Sequence, residues 1–231
     1  TDTGGASYKY DEEVPQAYEQ TSDAQQNSAN IVGNATDSNM ITYNAPSMDI
    51  GGATVSIGLE YSPHASDSAA NDGGVTTYND ARGSGHGAGL TVAYDALKVG
   101  VYAAEIENEM RDAGDDQRDN FEGVWYAKYS FGPVSIGYSE SYLENGVADT
   151  DDTAEAATAA KTVRTATGIF ESDSMSIAFN VNDNLSVSWT ETEDTYDAQS
   201  DKATNIADVT QSTEALQLAY SMGGMSIKAY N

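Results

Sequence analysis

Hydrophobic and polar residues alternate along most of this chain, in short runs that come in pairs. In one run, Leu185, Val187 and Trp189 alternate with serine and threonine, so the apolar side chains share one face of an extended strand. The paired runs are 39–46 with 53–61, 88–95 with 97–105, 120–131 with 134–142, 172–181 with 185–193, and the two halves of 216–231. Most pairs are joined by Gly, Asn or Asp, which accept the backbone conformations of tight turns. The pattern therefore predicts five β-hairpins, about ten strands in all.

The segments between the hairpins differ from the tight turns. They are long, acidic and rich in small residues, and they cover about 62–87, 106–119, 143–168 and 194–212. Because short and long connections alternate strictly, we expect all the turns at one end of the strands and all the long loops at the other end. This asymmetry is typical of an all-β, transmembrane, antiparallel up-and-down β-barrel, whereas a β-sandwich gives no reason for it. Alternation alone fits both architectures, since a water-soluble sandwich also buries one face of each strand.

Aromatic residues near the ends of the runs favour the barrel. Two aromatic bands around an aliphatic belt are typical of a barrel at the two interfaces of a bilayer. The predicted girdle comprises Tyr43, Tyr94, Phe131, Phe179 and Tyr220 near the short turns, and Tyr61, Tyr142 and Trp189 near the long loops. The alternative is that tyrosine is simply favourable on any half-buried strand surface.

Charge and composition argue against several classes of function. The chain has 37 Asp and Glu against 10 Lys and Arg, a formal net charge of −27, which repels phosphate backbones and opposes nucleic-acid binding. It has no cysteine, hence no disulfide framework and no thiolate metal site. The two histidines, His64 and His86, lie in Gly-, Ser- and Asp-rich surroundings and are expected in loops. The sequence has no nucleophile elbow, phosphate loop or metal-spaced histidine pair, so we predict neither an enzyme nor an organic cofactor.

One stretch, DSNMITYNAPSMDIGGATVSIGLEYSP (37–63), resembles the general porins of Gram-negative outer membranes. It is similar to the hairpin that follows the constriction loop of that family: a strand, a short Gly-containing turn, then an alternating strand ending in Tyr. FNVNDNLSVSW (179–189) and AYSMGGMSIKAYN (219–231) are similar to the closing hairpins of marine alphaproteobacterial porins, and DEEVPQAYEQ (11–20) is similar to part of their internal loop. The order and spacing of these pieces, more than any single motif, carry the resemblance.

The resemblance implies a sixteen-stranded β-barrel that forms a homotrimer in the outer membrane of a Gram-negative bacterium. Lipid and lipopolysaccharide would surround it, and ions and small hydrophilic solutes would diffuse through its water-filled channel. Against the family pattern, the chain lacks a signal peptide, a first strand and a closing strand with a terminal aromatic residue, so we expect an internal fragment. The expected organisation is a constriction-loop-like segment over 1–36 and the strands of one partial barrel domain over 37–231.

In a porin, the constriction-loop-like segment would fold into the lumen and narrow it. Its acids would face basic residues across the pore and create a transverse field that selects among ions. The candidate acids are Asp11, Glu12, Glu13, Glu19 and Asp23. The candidate pore-lining bases are Lys98, Lys128 and Lys228, which the alternation of side chains along the strands places on the polar face. The alternative is that all of these are ordinary solvated charges. With the net charge of −27, the hypothesis predicts a cation-favouring channel.

Two acidic stretches of the loops, DAGDDQRDN (112–120) and ADTDDT (148–153), are rich in the carboxylates that bind hard cations such as calcium. Neither has the spacing or the trailing Glu of an EF-hand loop. Divalent cations at these loops and plain solvation of an external surface are therefore both retained as alternatives.

Two rival functions remain open. The chief rival is a secreted acidic β-sandwich, an adhesin or surface-layer module in which a second sheet covers the apolar strand faces. Such a module would be soluble without detergent, whereas a porin needs detergent or lipid. The other rival is an outer-membrane barrel that takes up a specific substrate.

Overall fold

The strands of this chain form one antiparallel sheet. The computed structural model describes residues 10, 13–17, 40–63, 82–108, 119–144, 169–197 and 209–231. The strands are β1 (Ile41–Asn44), β2 (Met48–Ile50), β3 (Ala53–Ser62), β4 (Arg82–Tyr94), β5 (Leu97–Asn108), β6 (Asn120–Phe131), β7 (Val134–Glu144), β8 (Ile169–Asn182), β9 (Leu185–Asp197), β10 (Val209–Met222) and β11 (Met225–Tyr230). Over these residues no helix is long and apolar enough to cross a membrane.

The topology is up-and-down. From β3 to β11 each strand pairs with the next one along the chain, while β1 and β2 both pair with β3. Every pairing among the described strands is antiparallel, and the sheet that they form is open, with β1 and β2 as edge strands on one side and β11 on the other. The prediction of an all-β, antiparallel, up-and-down arrangement is confirmed.

The described part of the sheet has eleven strands rather than ten because the first predicted strand, 39–46, ends early and a further short strand forms between it and the first turn. β1 ends at Asn44, and β2 begins at Met48 after a break that contains Pro46. Proline has no N–H to donate to a sheet ladder, so it belongs at a sheet edge or a break. One hydrogen bond, from the Ala45 N–H to the Ile57 carbonyl oxygen at 3.0 Å, holds the break against β3.

Five two-residue turns lie together at one end of the strands. We call this end of the sheet the turn edge, as distinct from its edge strands. They occupy residues 51–52, 95–96, 132–133, 183–184 and 223–224. Gly51, Gly132 and Gly223 adopt φ values of 63°, 57° and 60°, in the left-handed region that glycine enters without strain. The opposite edge, the loop edge, is where the strands join the segments predicted as long linkers. The strict alternation of short and long connections is thus present in the sheet.

Several strands extend further towards the loop edge than the sequence predicted. β4 begins at Arg82 and β10 at Val209, within the predicted linkers 62–87 and 194–212. In β4 the cause is a run of alternating glycines, which have low strand propensity and favour a loop interpretation. Pairing of β4 with both β3 and β5 overrides that propensity.

The two faces of the sheet differ sharply. One face, the inner face, carries buried serine, threonine and tyrosine side chains and is covered in part by residues 10 and 13–17. The other face, the outer face, carries large apolar side chains that are exposed, among them Leu59, Trp125 and Ile177. The apolar cluster of buried residues lies on the inner face and consists of Tyr10, Tyr102, Ala104, Val124 and Tyr126. The large apolar side chains of the outer face therefore lie outside the buried core of this sheet.

Candidate functional site

Residues 10 and 13–17, which we call the inner segment, lie across the inner face. Their first contact is an aromatic one. The Tyr10 ring stacks on Tyr102 of β5, with ring centroids 5.5 Å apart and planes at 23°, and lies 6.3 Å from the ring of Tyr126 in β6. All three tyrosines are essentially inaccessible to solvent. Stacked rings of this kind stabilise beyond the area that they bury, so they fix the start of the inner segment over β4 to β6.

The centre of the inner segment is held by charge. The Glu13 carboxylate lies 3.3 Å from Lys98 Nζ on β5 and forms a second ion pair with Lys128 Nζ on β6. Lys98 and Lys128 are directly opposite each other in the β5–β6 register. Like charges placed opposite each other across strands repel, and the shared carboxylate offsets that repulsion. Both ammonium groups also lie within 5.7 Å of the centroid of the Tyr126 ring, in cation–π range.

The last part of the inner segment contacts strands much further along the chain. The Ala17 N–H donates to Ser188 Oγ of β9 at 2.8 Å. Gln217 Nε2 of β10 donates to Gln16 Oε1 at 3.2 Å. From Tyr10 to Ala17 the segment therefore crosses the strands from β4 to β10, bound by rings, then by an ion triad, then by hydrogen bonds.

Glycines on the inner face make room for this close approach. A Cβ atom at Gly89 would lie 2.5 Å from the Tyr10 ring, and one at Gly137 would collide with Pro15. Sequence reasoning missed both the glycines and Tyr10. The available signal was a glycine at an inward position of a strand whose outward neighbours are large, because strand glycines often mark a close approach of other backbone.

Beyond the inner segment, the inner face is lined with hydroxyl groups. The inward residues of β7 to β9 include Ser139, Ser141, Ser172, Ser174, Ser176, Thr190, Thr192 and Asp194, all buried. Ser174 Oγ lies 3.0 Å from Thr192 Oγ1, whereas the hydroxyls of Ser139, Ser172, Ser176 and Thr190 have no hydrogen-bond partner within the described structure. Buried hydroxyls are ordinarily satisfied by ordered water. The inner face of β7 to β9 is therefore polar, and these hydroxyls are inaccessible to bulk solvent.

The structure brings together only part of the predicted charged site. Glu13, Lys98 and Lys128 meet, as described above, but Lys228 lies on the inner face of β11 opposite Ala219, five strands from β6. The other candidate acids, Asp11, Glu12, Glu19 and Asp23, lie outside the described residues.

All eight residues of the predicted aromatic girdle lie on the outer face. Tyr94, Phe131, Phe179 and Tyr220 are close to the turn edge, and Tyr61 and Tyr142 are closer to the loop edge. Two girdle residues lie at a different position along their strands from the one that the sequence predicted. Tyr43 pairs with Leu59, the seventh of ten residues in β3, because the strand is broken after Asn44. Trp189 is the fifth of thirteen residues in β9 and lies nearer the turn edge, because β9 continues to Asp197.

The prediction that His86 is a loop residue is wrong. His86 lies within β4, opposite Tyr61 of β3 and Glu105 of β5, and its ring centroid is 5.2 Å from that of Tyr61. The alternating glycines around it led to the loop interpretation. His64, the second histidine, lies outside the described residues.

The outer face is divided into two zones along the strands. Nearest the turn edge is an apolar belt: in β8, for example, it consists of Met175, Ile177, Phe179 and Val181. Towards the loop edge, the outward positions of β8 become Asp173 and Glu171. The same change from apolar to acidic occurs in neighbouring strands, and the acids of this acidic band are Glu105, Glu107, Glu140, Glu144, Glu171, Asp173, Glu191, Glu193 and Glu214.

Within the described residues, no group of three or more His, Asp or Glu side chains converges so as to hold a metal ion. The acidic stretches proposed for calcium lie outside those residues, apart from Asp119 and Asn120. Comparison of the sequence with known protein families finds no family that matches, and comparison with curated proteins finds no match either.

Proposed function

We propose that this chain forms the wall of a porin-type β-barrel in the outer membrane of a Gram-negative bacterium, and that ions and small hydrophilic solutes diffuse along its inner face. The observation that carries the proposal is the difference in side chains between the two faces of the sheet. Large apolar side chains are exposed on the outer face, whereas the inner face holds hydroxyls, charges and the inner segment. A water-soluble protein rarely exposes so continuous an apolar surface.

The height of the apolar belt suits a bilayer. In β8 the belt runs from Met175 to Val181, and six residue steps cover about 20 Å along a strand. With the side chains at both ends and the usual tilt of barrel strands, this is comparable to the apolar band of about 25 Å on outer-membrane barrels. The acidic band would then lie in the polar headgroup region or beyond it. Within the described structure no second sheet covers the belt, as the rival β-sandwich would require.

The inner segment supports a constricted channel. It crosses the inner face at the level of Lys98 and Lys128 and carries Glu13 to them. Charges of both signs at such a crossing create a field across the pore, which acts on permeating ions. Combined with a net charge of −27, this arrangement favours cations over anions.

Closure of the barrel requires more pairing than the sheet provides by itself. β1, β2 and β11 are edge strands, and in lipid every backbone polar group needs a partner. We propose that the edges are satisfied by further strand pairing in a closed barrel, and that barrels associate as a trimer. Strand edges left open in water would promote aggregation.

The function is tested by measuring current across a planar bilayer after the protein is reconstituted from detergent. We expect stable conductance steps and, in a KCl gradient, a reversal potential of the sign that indicates cation preference. Monomeric solubility without detergent and no conductance would contradict the proposal and favour the secreted β-sandwich. Block of the current by one particular solute would instead indicate substrate-specific uptake.

A further inference from the structure

A groove on the outer face, on the side of the sheet away from the inner segment, has an apolar lining suited to an acyl chain. It lies on β5 to β9 and has a volume of about 460 Å³. Its walls are Leu97, Tyr129, Ile136, Met175, Ile177 and Trp189, with Tyr138 at the end that points to the loop edge. The lining surface is almost entirely apolar. We call this depression the outer groove.

Three acids stand in line just beyond the outer groove. Glu140 pairs with Asp173, and Asp173 pairs with Glu193, so β7, β8 and β9 carry one carboxylate each at the same height. Tyr138 pairs with Met175 at the wall of the groove, two residues from this acidic row, which is about 6.8 Å along a strand. The acidic row therefore borders the groove on its loop-edge side.

Within the described residues, no basic side chain balances the charge of the acidic row. The hydrogen-bond donors that the structure describes at the row are neutral: Trp125 Nε1 donates to Glu140 at 2.9 Å, the Tyr138 hydroxyl to Asp173 at 2.6 Å, and the Ser212 hydroxyl to Glu193 at 3.4 Å. Among the side chains that the structure describes, every lysine lies on the inner face, and the outer face has no Lys or Arg. Three carboxylates on adjacent strands repel one another. A cation from outside the protein would relieve this repulsion.

We propose that the outer groove and the acidic row together bind an amphiphile with a positively charged amine headgroup. One acyl chain lies in the groove, and the ammonium lies on the row. The inference rests on the proposed function in one respect, because a membrane location is what brings the groove into contact with acyl chains.

An ammonium suits the row better than a divalent metal does. The carboxylates are spread over three strands about 4.8 Å apart, and they do not converge on a point that could coordinate one ion. An ammonium has three donors that point in different directions and can bridge neighbouring carboxylates without a closed coordination shell. The row thus selects for charge on the headgroup, and the groove selects for the attached chain.

The two tryptophans of the chain report on this site directly. Trp189 lines the outer groove, and Trp125 is bonded to Glu140 of the acidic row. The full chain is reconstituted into phosphatidylcholine vesicles that contain a small fraction of a lipid with brominated acyl chains, which quench tryptophan emission on contact. Three headgroups are compared on the same brominated chains: a primary amine with net positive charge, phosphocholine, and an anionic glycerol headgroup with and without calcium.

We expect the amine lipid to quench most strongly, with an apparent affinity about threefold to tenfold above that of phosphocholine. The variant D173N/E193Q removes two charges of the row, keeps an acceptor for the Tyr138 hydroxyl and leaves both tryptophans in place; it should abolish the preference. The control E105Q/E107Q removes two charges from the acidic band on β5, away from the groove, and should keep it.

The possible results separate this site from the proposed function. Equal quenching by all headgroups would overturn the amine site while leaving membrane insertion intact. Preference for the anionic lipid only in the presence of calcium would also overturn it, because the ligand would then be a calcium-bridged anion. Absence of quenching by every lipid, in vesicles that conduct ions, would overturn the amine site, because protein would then cover the groove. Absence of both quenching and conductance would overturn the proposed function as well.

Discussion

Replacing Glu13 with glutamine removes the charge that ties the inner segment to the sheet. In the structure this carboxylate is shared by Lys98 and Lys128, whose side chains are 36% and 32% exposed. Partly exposed ion pairs contribute about 0.2–1 kcal/mol each. The variant also leaves two ammonium groups opposite each other with no acid between them. We expect E13Q to weaken the attachment by about 1.5 kcal/mol, roughly a tenfold increase in the fraction of molecules with the inner segment detached.

Because the chain has no cysteine, this detachment can be measured by thiol labelling. Val14 is 5% exposed on the inner face, so a cysteine introduced as V14C reacts with a small soluble thiol reagent only when the segment lifts. The labelling rate of V14C/E13Q should exceed that of V14C by about tenfold. Raising the salt from about 0.1 M to 1 M should raise the V14C rate and leave that of V14C/E13Q almost unchanged, since salt screens the ion pairs.

A matched control for this experiment is V14C/E105Q, which removes an acid on the outer face and should label at the V14C rate. Equal rates for V14C and V14C/E13Q would refute the reasoning. The ion triad would then contribute nothing to the attachment, and packing of the tyrosines and hydrogen bonds at the far end would hold the segment alone.

Three further substitutions test other parts of the inner face. G89A puts a methyl group 2.5 Å from a ring of the inner segment and should raise V14C labelling, whereas G224A, with no atom within 4 Å, should not; equal labelling would contradict the close approach. K98Q/K128Q removes two positive charges from the proposed constriction, so the reversal potential in a KCl gradient should move further towards cation preference, and a shift towards anions would contradict the pore assignment. T190V removes a buried hydroxyl that has no partner in the described structure, so heat-induced unfolding in detergent should occur at an unchanged or slightly higher temperature; a large decrease would indicate a bound water or solute at that hydroxyl.

The up-and-down sheet could be predicted from the sequence because its determinants are local. Side chains alternate faces with period two, and Gly51, Gly132 and Gly223 mark the reversals of direction. The same alternation of faces correctly placed Lys98 and Lys128 on the polar face of the sheet. The predicted strand boundaries were wrong where local propensity and strand pairing disagree, as at the glycine-rich start of β4 and near Pro46.

The contacts of the inner segment could not be predicted in the same way. Nothing in the local sequence around Glu13 specifies two lysines 85 and 115 residues away. Nor does the sequence around Tyr10 specify the glycine on β4 that it covers. These contacts depend on which strands come together, and the acidic row on the outer face likewise exists only once β7, β8 and β9 are in register.

The path of the inner segment has a consequence for the order in which the chain assembles. Ala17 bonds to a strand 171 residues further along, and Gln16 to one 201 residues further along. Contacts of such long range close only after the intervening hairpins have formed, because the entropy of closing the loop must be paid first. The ribosome therefore makes the inner segment before any of the strands it touches, yet its docking across β10 is among the last steps of folding. Until then the inner-face glycines at positions 89 and 137 stay uncovered, and the polypeptide passes through a stage in which the sheet has formed and the inner segment has not yet docked on it.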